Sequence, residues 1–244
     1  MWTAQLWPGY DEAVDPTGAT RPHWNELFRS LHDLGPNELA RRWREGKDLI
    51  RENGVTYNVY GDPRGISRPW QLDPIPLLIA PKEAAFLEGG LVQRAKLLEL
   101  ILVDLYGPQR LLQSGLIPPE LVFANPGFLR PAHGVKVPEG HFLHLYAANL
   151  GRGYDGNWRV LGDRTQAPSG AGYALENRIV MTRTLPEAFR DCKVYRLAPF
   201  FQAFRDTLRS IAPQNRDNPR IVLLTPGPYN ETYFEHAYLA RYLG

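Results

Sequence analysis

The sequence predicts a mixed fold of helices and a few strands, in the α/β (α+β) class. Three observations support this prediction. The first half is dominated by amphipathic helical patterns, the second half opens with a β-hairpin signal, and the last apolar strand turns directly into a helix. Because helices and strands both contribute apolar faces that need covering, a domain built of one type alone is not expected.

Three helices are predicted in the first half, at residues 22–34, 36–53 and 81–106. The first two begin with a proline in the first turn and stop at Gly35 and Gly54, which is the usual asymmetry of helix ends. The third is the longest and carries an apolar stripe that we expect to face the core. The stripe consists of Phe86, Leu87, Leu91, Ala95, Leu98, Leu102 and Leu105.

Strand signals are shorter and lie between and after these helices. Residues 55–60 alternate as a strand does, whereas the proline-rich passages 63–81 and 117–138 are expected to be ordered, extended loops. Residues 141–148 and 157–161 predict a hairpin joined through Asp155-Gly156.

The remaining elements are two helices, at 171–184 and 197–211, and a strand, turn and helix unit at 220–243. In that unit a buried-type strand at 220–225 meets Pro226-Gly227-Pro228 and then a helix from residue 230. Such a unit normally feeds a second parallel strand. We therefore expect neighbouring strands to come from a longer protein or from elsewhere.

Composition excludes several classes of protein. The 244 residues are 43% hydrophobic and 22% charged, with a formal net charge of +2, so neither a nucleic-acid footprint nor a membrane span is predicted. Cys192 is the single cysteine, which rules out an internal disulfide. Residues 1–10 show no secretory signal, so a cytoplasmic location is expected.

Several short motifs together point to a family. They are Thr56-Tyr57-Asn58-Val59-Tyr60-Gly61, Asp73-Pro74-Ile75-Pro76, Gln93-Arg94, Asp104-Leu105-Tyr106-Gly107, Pro168-Ser169-Gly170, Leu175-Glu176-Asn177-Arg178, Thr225-Pro226-Gly227-Pro228-Tyr229-Asn230 and Glu235-His236-Ala237. With these motifs, nearly the whole chain resembles the circularly permuted ATP-grasp family, relatives of glutathionylspermidine synthase.

The resemblance implies a fold, a domain division and an activity. It implies an ATP-grasp-like catalytic region over residues 1–215, with a helical part at 1–54, and the incomplete start of a pre-ATP-grasp α/β domain at 216–244. Active members are ATP-dependent carboxylate-amine ligases, in which magnesium neutralises the triphosphate. ATP is therefore a candidate ligand of this chain.

The resemblance also implies where magnesium would bind. The family uses an aspartate, a glutamate thirteen residues later and an asparagine two further, which correspond here to Asn149, Gly162 and Arg164. Asn149 offers one neutral carbonyl oxygen, Gly162 has no side chain, and Arg164 is a permanent cation with donors only. The magnesium site is therefore predicted to be lost, and no catalytic residue is assigned.

Two interpretations of Arg164 remain open. It is either an ordinary loop residue left after the site decayed, or a guanidinium that replaces the metal and binds anionic oxygens directly. Ser169 and Gly170, just before a helix, suit an anion bound by backbone amides, although a serine N-cap explains them without a ligand.

The segment Glu176-Asn177-Arg178 lies within one helical turn. By resemblance, Arg178 is the predicted anion contact and Asn177 holds the loop. A solvated helix face explains the same residues without a ligand.

Two functional hypotheses follow. The first is a degenerate ATP-grasp module, of the kind joined to a helical alpha-E partner domain or to peptide-modification enzymes. The second is an active carboxylate-amine ligase that recruits ligands from a missing C-terminal part or from Asp163. A one-residue slip or a bulge in the strand would move the Asp163 carboxylate into the vacant position.

Overall fold

The computed structural model describes residues 9–58, 68–212 and 218–244, and it combines helices with one small antiparallel sheet. This is the mixed class that the sequence predicts. The strands are β1 (Ala147–Arg152) and β2 (Trp158–Arg164). The helices are α1 (Asn25–Glu52), α2 (Pro81–Leu105), α3 (Arg110–Gln113), α4 (Pro119–Phe123), α5 (Ala171–Thr184), α6 (Pro186–Asp191), α7 (Ala198–Ser210) and α8 (Tyr233–Leu243).

The core follows helix α5, which packs on α1, α6 and α8. One buried cluster joins α5 to the end of α1, and a second joins α5 to α7 and α8. The first contains Ile50, Val55, Tyr173 and Val180, and the second contains Leu175, Phe201 and Leu239. Removing these apolar side chains from water is the main term that holds the helices together.

The break in α1 confirms the prediction of two successive helices. Gly35 has φ +74° and ψ +163°, a combination open to glycine and costly for other residues. Pro36 follows it and starts the second part of the helix. The predicted start at Pro22 is wrong by one short turn, since Pro22–Trp24 is a 3-10 helix.

Helix α2 forms as predicted, but its apolar stripe is not part of a closed core. No residue of α2 is buried, and Phe86 is 76% exposed. Leu87, Leu91 and Leu98 are only half-buried. Among the described residues, the hairpin covers one side of α2. The hairpin is too small to enclose an apolar stripe of this length.

The hairpin confirms the predicted turn, while its first strand starts later than expected. His141 and His144 precede β1 instead of lying in it. Asn149 pairs with Gly162 and Leu150 pairs with Val160, so Leu161 is an extra residue that forms a bulge in β2. A bulge reverses the alternation of side chains between the two faces of a strand.

Three other predictions change. In the stretch 55–60, Thr56 and Pro69 form a single antiparallel bridge, while residues 59 and 60 lie outside the described part. The passage 117–138 is not wholly extended, because α4 lies in it. The stretch 220–225 is extended but has no strand partner among the described residues, so the predicted strand is not formed.

Within the described ranges, no helix combines the length and the apolar character needed to cross a membrane.

Candidate functional site

The three positions that correspond to magnesium ligands lie on one face of the hairpin. Asn149 is directly opposite Gly162, and Arg164 is opposite Ala147, two residues further along the ladder and therefore on the same face. A Cβ atom added at Gly162 would lie 3.9 Å from the Asn149 side-chain nitrogen, which is ordinary contact. Strand pairing therefore brings Asn149, Gly162 and Arg164 together on a single surface.

Asp163 lies on the opposite face of the hairpin, because it stands between Gly162 and Arg164 in a part of β2 that pairs in regular register. There it pairs with Arg94 of α2, whose Nε and Nη2 donate to the two carboxylate oxygens at 2.6 and 2.7 Å. The hydroxyl of Tyr146 donates to the same carboxylate at 2.6 Å. These hydrogen bonds, from Arg94 first and then Tyr146, lower the pKa of Asp163 to about 2.

The chemistry of this face is that of a weak acceptor beside a cation. Asn149 contributes an amide, Gly162 contributes no side chain, and Arg164 contributes only donors. Across residues 9–58, 68–212 and 218–244, no group of three His, Cys, Asp or Glu side chains is arranged to hold a metal ion.

Arg164 is exposed and is oriented by Ser169. Its Nη1 donates to Ser169 Oγ at 3.2 Å. No acidic side chain of the described residues forms a salt bridge with it. Because one guanidinium carries five N–H donors in a planar fork, most of its donors stay available to an anion.

A glutamate, and not the predicted serine, satisfies the start of helix α5. Glu235 of α8 is 2% exposed, and its carboxylate accepts hydrogen bonds from Gly170 N at 2.7 and 2.8 Å and from Gly172 N at 2.8 Å. Gly170 is the N-cap residue of α5, and the helix start has no hydrogen bond from an N-cap side chain. The prediction of a serine cap is therefore wrong, and an internal carboxylate stands where an anion would bind.

The three consecutive residues Glu176, Asn177 and Arg178 point in different directions. Glu176 is buried and accepts from Asn53 Nδ2 at 2.5 Å, while Asn177 Oδ1 accepts from the Trp70 indole at 2.7 Å.

Arg178 lies apart from the other predicted anion contacts. Its guanidinium sits 5.5 Å from the ring centre of Phe189 on α6, and burial lowers its pKa. Eight residues separate Gly170 from Arg178 along α5, a rise of about 12 Å. Ser169 and Arg164 are in contact, but Asn177 and Arg178 are placed elsewhere.

Sequence reasoning missed Arg94, Tyr146 and Glu235 as partners of the site. Arg94 is 69 residues from Asp163, and Glu235 is 65 residues from Gly170. Periodicity places each residue on a helix face but does not pair distant faces. Only the occurrence of Arg94 and Glu235 within short motifs hinted at a role.

A two-stranded hairpin beside helices, on which Asn149 and Gly162 face each other, is consistent with the ATP-grasp class of proteins. The comparison with known families agrees. The chain belongs to the circularly permuted ATP-grasp type 2 family, whose model matches residues 76–244. Proteins with the ATP-grasp fold generally bind ATP.

The chain is similar to several longer bacterial proteins. It is 42% identical over 244 residues to an uncharacterized protein of Mycobacterium tuberculosis, covering 97% of this chain and 28% of the relative. It is 37% identical over 235 residues to an uncharacterized protein of Synechocystis, covering 96% of this chain and 49% of the relative. The chain thus spans less than half the length of these relatives.

Proposed function

We propose that this chain is a catalytically degenerate ATP-grasp module that binds an anionic ligand at Arg164 without a magnesium ion. The observation that carries the proposal is the hairpin face on which Asn149, Gly162 and Arg164 meet while Asp163 is turned to the other side. Family membership supplies the nucleotide chemistry, and the residues of this face supply the departure from it.

The argument for degeneracy rests on the needs of magnesium. Mg²⁺ is bound through carboxylates and waters in near-octahedral geometry and retains its waters strongly. The face offers one neutral amide oxygen and a guanidinium, so a dication there would meet repulsion in place of charge compensation. The carboxylate adjacent to this face in sequence, Asp163, is paired with Arg94.

Arg164 supplies what the lost ion would have supplied, a positive charge facing oxygen atoms. The planar guanidinium binds phosphate or carboxylate oxygens in pairs, and Ser169 holds it in place. The backbone N–H groups of Gly170 and Gly172 already donate to Glu235, so they are not free to bind the anionic ligand. Anion binding therefore falls to Arg164.

We further propose that residues 216–244 begin a pre-ATP-grasp domain and that the module works with a helical alpha-E partner domain or with enzymes of peptide synthesis or modification. Val222 and Leu224 are 77% and 97% exposed, which supports an extended segment that other strands cover.

Calorimetry with ATP, with and without magnesium, tests the proposal on the chain itself. We expect binding of similar affinity in both conditions and no magnesium-dependent ATP hydrolysis. Arg164→Gln should weaken ATP binding by about tenfold or more, since a charged hydrogen bond contributes about 1.5–3 kcal/mol. Arg29→Gln, which removes an exposed arginine from α1, is the matched control and should leave binding unchanged.

A rebuilt site gives the converse test. Asn149→Asp, Gly162→Glu and Arg164→Asn together restore the family's ligand set, and Gly162 has room for a side chain. We expect this variant to bind Mg²⁺ measurably where the original chain does not. Magnesium-dependent hydrolysis by the unaltered chain would contradict the proposal and favour an active carboxylate-amine ligase, in which Asp163→Asn should then abolish turnover.

A further inference from the structure

A groove of about 640 Å³ runs between helix α2 and the face of the hairpin that looks away from Arg164. Its floor is apolar, with Leu91 and Leu97 from α2 and Leu150 and Val160 from the hairpin. It lies apart from the proposed anion site, so a ligand in it does not require ATP to be bound.

The α2 wall of the groove is an uncovered apolar ridge. Phe86, Leu97 and Leu100 are 76%, 57% and 66% exposed, and the spacing of a helix places them close to one line. The ridge from Phe86 to Leu100 is about 21 Å long. A contiguous exposed apolar surface of this kind marks an interaction site in a folded protein.

Gly90 makes the wall concave. It lines the groove, and a Cβ atom added there would meet nothing within 4 Å. A partner side chain can therefore enter between Phe86 and Leu97 and approach the backbone of α2.

The charged residues that line the groove are all basic. Arg94, Lys96 and Arg159 line it, and no acidic side chain does. Arg94 and Arg159 are each held by an aspartate, whereas Lys96 has no salt bridge with any described residue. A partner that sits on the apolar floor and offers a carboxylate to Lys96 is complementary in both respects.

We propose that this groove binds an amphipathic helix of a partner protein, with its apolar face on Phe86, Leu97 and Leu100 and an acidic flank on Lys96. A helix of about 14 residues matches the length of the ridge. A second copy of this chain fits less well, because pairing α2 with itself would bring the Lys96 side chains of the two copies toward each other and offer neither of them a carboxylate from the lining of the groove.

The test uses a synthetic amphipathic helix of about 16 residues, with leucines on one face and glutamates along its flanks, and a counterpart in which every glutamate is lysine. Fluorescence anisotropy measures their binding to the full chain. We expect the acidic peptide to bind at least about tenfold more tightly than the basic one at low salt. Lys96→Glu should reverse that order.

Two phenylalanine variants separate the groove from the rest of α2. Gly90→Phe fills the groove and should weaken the acidic peptide by about tenfold or more. Ala84→Phe adds the same ring at an exposed position on another side of the helix, which does not line the groove, and it should leave binding unchanged. Both positions are exposed, so neither change is expected to unfold the chain.

Three outcomes would overturn the proposal. They are equal binding of the two peptides, absence of binding by the acidic peptide, and self-association of the chain in sedimentation that Gly90→Phe abolishes. ATP calorimetry on the same Gly90→Phe variant should be unchanged, since Arg164 lies on the other face of the hairpin.

Discussion

At the scale of single residues, the orientation of Asp163 determines whether the hairpin face with Asn149, Gly162 and Arg164 carries a carboxylate. Asp163 follows Gly162 directly in β2, and the register of the hairpin places it on the face away from Asn149. Arg94 and Tyr146 then hold it from α2 and from the residue before β1. A carboxylate with two such donors stays ionised to low pH and has little left to offer a metal.

This ion pair makes a prediction about pH. The pKa of Asp163 in the folded chain is about 2, below its ordinary value of 3.8, so its stabilising effect is present above pH 3.8 and is lost as the pH falls toward 2. In Arg94→Gln we expect the pKa of Asp163 to rise toward 3.8, as followed by NMR titration of the carboxyl carbon.

The control in that titration is Asp155. Its pKa is lowered by Arg159, which the substitution does not touch, so its titration should stay in place. An unchanged midpoint for Asp163 in Arg94→Gln would show that the pair with Arg94 does not exist in solution.

At the scale of elements, the contact between α5 and α8 is set by a carboxylate at a helix start. Glu235 satisfies amide groups that would otherwise have no partner inside α5, and its negative charge faces the positive end of that helix. Gly172 permits the approach, because a Cβ atom at that position would lie 2.9 Å from Glu235 Cγ. The two helices are joined by the hydrogen bonds that Glu235 accepts and by the apolar contacts of Leu175 and Leu239.

A pair of glycine substitutions checks this contact. Gly172→Ala should lower the free energy of unfolding by about 1–3 kcal/mol, the cost of overpacking a close contact. Gly89→Ala, at an exposed site in α2 with open space, should raise it by about 0.5–1 kcal/mol through helix propensity. Urea unfolding measures both, and a neutral Gly172→Ala would contradict the close approach of Glu235.

At the scale of the whole molecule, the described residues form a helical core with two uncovered apolar surfaces. One is the ridge on α2 and the other is the segment 221–224, where Leu224 is 97% exposed. Neither belongs to the buried clusters around α5. The chain is therefore held together by its helical core, and these surfaces are available to other parts or partners.

Two leucines test this division. Leu224→Asp should change the free energy of unfolding by less than about 0.5 kcal/mol, as exposed substitutions do. Leu239→Ala, at an 8% exposed site in the core, should lower it by about 2–5 kcal/mol. A loss for Leu224→Asp as large as that for Leu239→Ala would mean that the segment packs on the chain.

The sequence by itself determined the local structure and the identity of the residues at the hairpin face. The helix break at Gly35, the hairpin turn at Asp155-Gly156 and the lack of carboxylates at Asn149, Gly162 and Arg164 depend on neighbours within a few residues or on residue type alone. Residue type and spacing are properties of the chain before it folds.

Only the tertiary structure decided which distant groups meet. The bulge at Leu161 depends on how β1 and β2 pair. The pairing of Asp163 with Arg94 and the binding of Glu235 to the start of α5 depend on packing between segments more than 60 residues apart, as the separations of 69 and 65 show. Local pattern carries no information on that docking, because many faces of similar polarity compete for each partner. The same reason explains why 220–225 has no strand partner among the described residues, since a strand forms only where another strand lies beside it.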